Sequence, residues 1–141
     1  MQFSKSSDYQ KYVLTIREHM RPYYEERGVK WVEEEKLEHY EKCDLYAIRD
    51  GEEVGFLMFL EESGKFYLAE LHIYEAHQSH GYGSRAIVWT LKHAAEEGYR
   101  KVHVRVFKNN PAYQLYLRHG FSFEKEFPHT DQLVAVAHTG I

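Results

Sequence analysis

Apolar and polar positions recur along this chain at spacings that predict most of its elements. Met1 to Phe3 reads as a very short edge strand. Tyr9, Tyr12, Val13, Ile16 and Met20 then recur at helical spacing and predict a first helix to about Tyr24, with Ser6, Ser7 and Asp8 offering N-cap oxygens and Gly28 ending the region. Val32 to Glu41 predicts a second, acidic helix with Val32, Leu37 and Tyr40 as inner positions. Leu45 to Ile48, the turn Asp50-Gly51 and Val54 to Leu60 form a hairpin signature. Ser63-Gly64 makes the next turn before a third strand from Phe66 to Ile73. A helix follows with Ile87, Leu91, Ala94 and Ala95 on one face and Gly98 as its stop. Val102, Val104 and Val106 alternate with His103 and Arg105, the pattern of a strand with one buried face. Pro111 suits the first turn of a short helix ending at Gly120, and Phe121 to Phe127 with Leu133 to Ala137 predict a closing hairpin.

This order, (β)αα-βββ-α-β-α-ββ, predicts an α+β fold. A meander followed by a strand–helix–strand crossover gives a mixed sheet with helices on its faces. At 141 residues the chain is expected to form a single domain over residues 1–141. Its composition, 43% hydrophobic with 28% charged residues, is globular. Twelve tyrosines suggest amphipathic aromatics along a cleft or interface, or ordinary half-buried core. A net charge of −4 argues against nucleic acid as the main partner. The single Cys43 excludes an intramolecular disulfide framework and suits a reducing compartment. No signal-peptide pattern and no apolar run of membrane-spanning length is read, so a cytoplasmic protein without a membrane partner is expected.

The stretch from Leu68 to Ser84 carries the first candidate chemistry. A strand there feeds a Gly81-x-Gly83 turn at a helix N-terminus. Glycines let backbone N–H groups crowd a ligand, and the helix's unsatisfied donors and dipole favour an anion such as phosphate; the same glycines also serve plain turn geometry. The ten histidines invite a metal reading, but there is no His-Glu-x-x-His and no cysteine pair. His77 and His80 read as loop residues beside the glycine turn, and no metal is expected.

Gln78-Ser79-His80-Gly81-Tyr82-Gly83 reads Q-x-x-G-x-G. Further on comes Asn110-Pro111-Ala112-Tyr113-Gln114-Leu115-Tyr116-Leu117-Arg118-His119-Gly120-Phe121. Together, on these elements, they resemble the general-control-related N-acetyltransferase (GNAT) superfamily, closely from Phe56 to Phe123 and in element order over the whole chain. The resemblance implies a fold whose fourth and fifth strands splay apart, with acetyl-CoA as co-substrate. Gln78, Ser79, His80, Gly81, Tyr82, Gly83 and Ser84 would then present N–H groups to the pyrophosphate, and the backbone of Leu71 and Ile73 would pair with the pantetheine arm. Asn110, with Tyr113 beside it, would hold the pantetheine; as a helix cap before Pro111, Asn110 is equally good chemistry. Tyr116 sits where the family tyrosine protonates the departing thiolate; otherwise it is a packed aromatic.

The implied reaction also needs a proton acceptor. Glu70 on strand four is the first choice and His72 the runner-up, with Tyr67 or a water behind them. Family members that use a glutamate on strand five do not help, since Arg105 stands there. Simple alternation puts Tyr67, Ala69, Leu71 and Ile73 on one face and Glu70 and His72 on the other, unless a family bulge in strand four shifts the phase. The expected activity is acetyl transfer from acetyl-CoA to a primary amine, with a non-catalytic acyl-CoA-binding module as the rival. The acceptor is left open among small amines, amino acids, antibiotics and protein amines. Glu33 to Glu35, with Glu61 and Glu62, lean toward a cationic one, although a run at Glu33 also suits a solvated first turn. The tyrosine-rich first helix is a candidate homodimer surface.

Overall fold

The turns announced by Asp50-Gly51 and Ser63-Gly64 organise an antiparallel meander, and everything else is hung on it. In the computed structural model, which describes residues 1–138, β1 (Gln2–Ser6), α1 (Tyr9–Glu26) and α2 (Glu33–Tyr40) lead into β2 (Asp44–Asp50), β3 (Glu52–Glu62) and β4 (Lys65–Ile73). A single 3₁₀ turn (Glu75–His77), α3 (Tyr82–Glu96), β5 (Lys101–Phe107), α4 (Ala112–Arg118), β6 (Ser122–Glu126) and β7 (Thr130–Val136) complete the chain. The strands form one mixed sheet in the order β1-β2-β3-β4-β5-β7-β6, with β4 and β5 parallel. The predicted element order and fold class therefore hold. No helix among the described residues is long and apolar enough to cross a membrane.

Each face of the sheet buries its own apolar cluster. On one side Ala86, Ile87, Leu91 and Ala94 of α3 pack with Val102, Val104 and Val106 of β5 and with Phe66 and Leu68 of β4. On the other, Tyr12, Val13 and Ile16 of α1 and Tyr40 of α2 pack on Leu45, Ala47, Phe56 and Met58. These are the faces that the helical spacing and the strand alternation predict.

Element ends differ in places from expectation. α1 runs past Tyr24 to Glu26, and the Asp8 side chain does not cap it; the Asp8 N–H instead donates to Ser6 Oγ at 3.2 Å. The first strand is longer than Met1 to Phe3, because β1 zips onto β2 as far as Ser6.

Two features of β4 shape the rest. It pairs with β3 from end to end, but with β5 only at Phe66↔Val102 and Tyr67↔His103. From Leu68 onward its β5-facing edge has no strand partner, so the sheet splits. The second feature is a slip in register: Met58 faces Glu70 while Phe59 faces Leu68, leaving Ala69 as an extra residue on β4. That is a β-bulge.

At Gly55, β3 and β4 approach too closely for a side chain. A Cβ added there would overlap the His72 carbonyl oxygen and stand 3.0 Å from Ile73 Cα, both backbone atoms that cannot turn aside. Gly55→Ala should therefore destabilise the fold by about 1–3 kcal/mol, as overpacking does, read as a lower urea midpoint at unchanged slope. A midpoint equal to wild type would show that β3 and β4 can part at no cost.

Candidate active site

The split between β4 and β5 forms a cleft, and the bulge decides which side chains line it. Simple alternation would give Ala69, Leu71 and Ile73 one face. With Ala69 as the extra residue, Leu71 and Ile73 pack with the α3-side cluster, whereas Ala69 packs with the α1/α2-side cluster. Glu70 and His72 contact Tyr40 and His19 on that same α1/α2 side. The parity read from the sequence is thus corrected: Ala69, Glu70 and His72 share a face, and Leu71 and Ile73 stand on the other.

Glu70 is the hub of the α1/α2 side. Its side chain is only 17% exposed. Tyr40 OH donates to Oε2 at 3.0 Å, and His72 Nε2 lies 2.6 Å from Oε1. His72 in turn meets His19 of α1, Nδ1 to Nδ1 at 2.9 Å, so one ring must donate where the other accepts. A largely buried carboxylate needs such partners, since an uncompensated charge there would be costly. Its field is felt widely. Burial, then the Glu70 charge, push the Tyr24 hydroxyl and the Cys43 thiol each up to about 12 and hold Tyr40 far above its ordinary range. Cys43 is therefore an inert buried thiol rather than a nucleophile.

Tyr116 of α4 belongs to the α3-side cluster, across the sheet from the partners of Glu70. It is buried against Phe121, with ring centroids 5.3 Å apart. Its hydroxyl makes no hydrogen bond among the described residues, and the ring is buried. Burial first, then the Glu70 charge, raise its pKa, so it stands as a neutral phenol with a proton to give. Asn110 caps α4: its Oδ1 accepts from the Ala112 N–H at 2.9 Å and its carbonyl from the Tyr113 N–H at 2.9 Å. Among the described residues the Asn110 amide nitrogen donates to no partner. Tyr113 is turned toward β7, where its hydroxyl donates to Asp131 at 2.7 Å.

At the head of α3, Gly81 takes the left-handed conformation (φ +81°) and Ser79 does so too (φ +65°). The helical ladder begins with the Arg85 N–H on the Gly81 carbonyl, which leaves the N–H groups of the first turn, Tyr82 to Ser84, without a ladder partner. Gly83 is held close to α4: a Cβ there would lie 3.1 Å from Leu115. The side chains around this turn are committed elsewhere. Gln78 Nε2 donates to the Ile73 carbonyl at 3.0 Å, the His80 ring folds onto the Gln78 carbonyl at 2.8 Å, and Tyr82 OH donates to Asp50 at 2.7 Å. What this turn offers an anion is main-chain N–H groups.

A groove of about 150 Å³ runs from the bulge along Tyr67, Leu68 and Ala69 to His39, Leu60, Glu62 and Arg105. A larger hollow, about 460 Å³, lies at the paired end of β4 and β5 beside Lys65 and Arg100, and neither hollow is lined by Glu70 or Tyr116. Among the described residues no cluster of three or more His, Cys, Asp or Glu side chains could hold a metal ion. Sequence reasoning missed His19 and gave Tyr40 only an inner position. His19 does continue the buried Tyr12–Ile16 face of α1, which was the signal available. Tyr24 was missed too: it stands edge-on to Trp31 at 5.3 Å and to Phe107 at 5.9 Å.

Comparison with known proteins places this fold. The model of the acetyltransferase (GNAT) family matches residues 12–121. A spermine/spermidine N(1)-acetyltransferase of Bacillus subtilis (strain 168) is 26% identical over 133 residues, spanning 87% of this chain and 86% of that protein. The fold is similar to that of the PaiA N-acetyltransferase from Thermoplasma acidophilum in complex with coenzyme A. That match has a TM-score of 0.69 and 15% identity, covering 96% of this chain and 99% of the other. A GNAT family acetyltransferase from Elizabethkingia anophelis with acetyl-CoA bound matches with a TM-score of 0.61 and 17% identity, over 72% of this chain and 82% of its own.

The His19–His72 contact has a consequence for acid stability. Burial, then the nearby His72, hold His19 below its ordinary pKa. The unfolded chain therefore takes up its proton first, near pH 6.5, and stability present above that pH falls as pH drops through it. His39 and His119 are lowered by burial and act in the same direction. The lowered carboxylates Glu53 and Glu124 act only further down, below their ordinary value of 4.5. The urea midpoint should fall between pH 7.5 and pH 5.5, and His19→Gln should flatten that fall. An identical slope in the variant would mean that His19 titrates as freely folded as unfolded.

Proposed function

The chain belongs to the acetyltransferase (GNAT) family and is an N-acetyltransferase of that type, and on that premise we propose that it moves an acetyl group from acetyl-CoA to a primary amine presented to Glu70. The observation that carries this reading is the parting of β4 from β5 after two rungs, with Glu70 on the freed stretch of β4 and Tyr116 on the short helix after β5, its phenol raised first by burial and then by the Glu70 charge. Two relatives of the same fold hold coenzyme A or acetyl-CoA. The free edge of β4, the first turn of α3 and the Asn110 amide supply donors and acceptors suited to such a co-substrate, with Leu71 and Ile73 on that edge.

When bound, acetyl-CoA supplies a thioester carbonyl open to attack by an unprotonated nitrogen. Glu70 takes one proton from the arriving ammonium and passes it to solvent, and Tyr40 and His72 hold the carboxylate in place while it does so. A main-chain N–H on the unpaired β4 edge steadies the carbonyl oxygen as it gains charge. As the nitrogen–carbon bond forms and the carbon–sulfur bond breaks, Tyr116 gives its proton to sulfur. The nitrogen's second proton then restores the phenol. A non-catalytic acyl-CoA-binding module would need neither the hub at Glu70 nor an unengaged phenol.

Two variants test the assignment in turnover assays that follow free-thiol release. Tyr116→Phe removes only the proton donor and should lower turnover about 10²–10⁴-fold with acetyl-CoA affinity little changed. Full turnover with chemistry rate-limiting would leave the hydroxyl a packing group.

Glu70→Gln keeps shape and removes basicity. Its rate should be depressed at neutral pH and recover in part at alkaline pH, where free amine is abundant. A wild-type pH–rate profile in this variant would move the base elsewhere, with His72 next in line.

A further inference from the structure

Arg105 lies on β5 just beyond the last β4–β5 rung and lines the groove that leads away from the Ala69 bulge. Its guanidinium is held from several sides. Nε donates to Gln132 Oε1 at 3.0 Å, and Gln132 Nε2 donates to Glu124 Oε1 at 2.8 Å. His103 Nδ1 lies 2.8 Å from that same Glu124 oxygen. Glu124 reaches both because it is itself the extra residue in a slip of register between β6 and β7. Arg105 Cζ also lies 4.3 Å from the Phe127 ring centroid and 5.6 Å from that of Tyr67. Buried Gln132 and His103 thus anchor a guanidinium that is itself exposed.

The fork of terminal N–H groups, by contrast, has no hydrogen-bond or ion-pair partner among the described residues. Lys125, 5.1 Å from the same Phe127 ring, is in no ion pair either. A fixed guanidinium with an empty fork is preorganised for a planar anion that accepts two parallel hydrogen bonds, and carboxylate fits that pattern. Glu62, the acid on the groove, is exposed, and among the described residues no hydrogen bond fixes it. The preorganised group therefore sets the preference, since rigid recognition elements lose less on binding.

We propose that Arg105 receives a carboxylate of the acceptor, so that the preferred acceptors are small amines that also carry a carboxylate, such as free amino acids. The inference rests on the acetyl-transfer reading for the site at Glu70. It commits to a small molecule because the groove is only about 150 Å³. A second ammonium in this groove would instead meet the fixed Arg105, with only the exposed Glu62 to pair it.

The test compares ω-amino acids of increasing length with the matching alkylamines and diamines in acetyl transfer, for wild type, Arg105→Met and Arg105→Lys. Wild type should favour the carboxylate-bearing series over the neutral one by about tenfold to a hundredfold in kcat/KM, the usual scale of a charge-assisted hydrogen bond. Arg105→Met, which keeps an apolar stem against Phe127, should collapse that ratio chiefly through KM, and Arg105→Lys should restore part of it. A wild-type preference for diamines, or an undiminished ratio in Arg105→Met, would overturn the proposal. Calorimetry with N-acetyl-ω-amino acids, in the presence of coenzyme A, reads the anion site without turnover. Binding to wild type and not to Arg105→Met, with no amine acetylated, would keep the anion site while the transfer reading fails. Equal binding to both proteins, or binding to neither, would end the proposal.

Discussion

One extra residue in β4 governs the arrangement of this molecule. The strand must stay in register with β3 along its whole length and yet turn away from β5 after two rungs. Ala69 meets both demands. By interrupting the alternation it keeps Phe66 and Leu68 in the α3-side core. It also delivers Glu70 and His72 to the α1/α2 side, where Tyr40 and His19 are waiting. Bulges bend and twist the strand that carries them, so the same residue helps open the sheet. Without it Glu70 would be driven toward an apolar layer that has no partner for a carboxylate.

The charge on Glu70 in turn explains why the helices sit where they do. Tyr40 is the last residue of α2 and His19 lies in the second half of α1; both reach the sheet through polar atoms within apolar surroundings. A chain of hydrogen bonds in a poorly hydrated layer fixes geometry tightly, because each unmade bond there would cost the desolvation of a polar group. Tyr23 and Tyr24 close the same roof over Phe107. The α1/α2 layer is therefore both cover and support, and the wall that carries Tyr116 comes from a separate, shorter helix after β5.

Much of this was legible in the sequence, and the exceptions have physical reasons. The alternation of Val102, Val104 and Val106, the spacing of Ile87, Leu91 and Ala94, and the turns at Asp50-Gly51 and Ser63-Gly64 are local signals, and local signals specify elements. The phase of Glu70 was not legible, since a bulge is decided by the partner strand at Met58 and Phe59 and leaves no mark in Ala69 itself. The contact of His19 with His72 joins residues far apart in the chain, and only the packing of α1 on the sheet brings them together. Around the glycine turn the side chains are spent within the fold, Gln78 on the end of β4 and Tyr82 on the β2–β3 turn, and their residue types do not announce those contacts. Arg105 read as a departure from a family pattern, and its supporting network of Gln132, Glu124 and His103 depends on a second slip of register that no local signal announces.

The split also leaves the sheet with an edge inside itself. Unpaired strand edges are templates on which another chain can add a strand and start cross-β growth. The outer edges are poor templates: β1 is five residues long and carries Lys5, and β6 presents Glu124, Lys125 and Glu126. The inner edge, from Leu68 to Ile73, has the more apolar sequence and would be the more dangerous one. It faces β5 across the split, with the α1/α2 layer over one face and α3 over the other, so a strand of a neighbouring molecule would have to enter between two strands of the same sheet to pair with it. The chain thus keeps these free backbone groups inside its sheet rather than along an outer border.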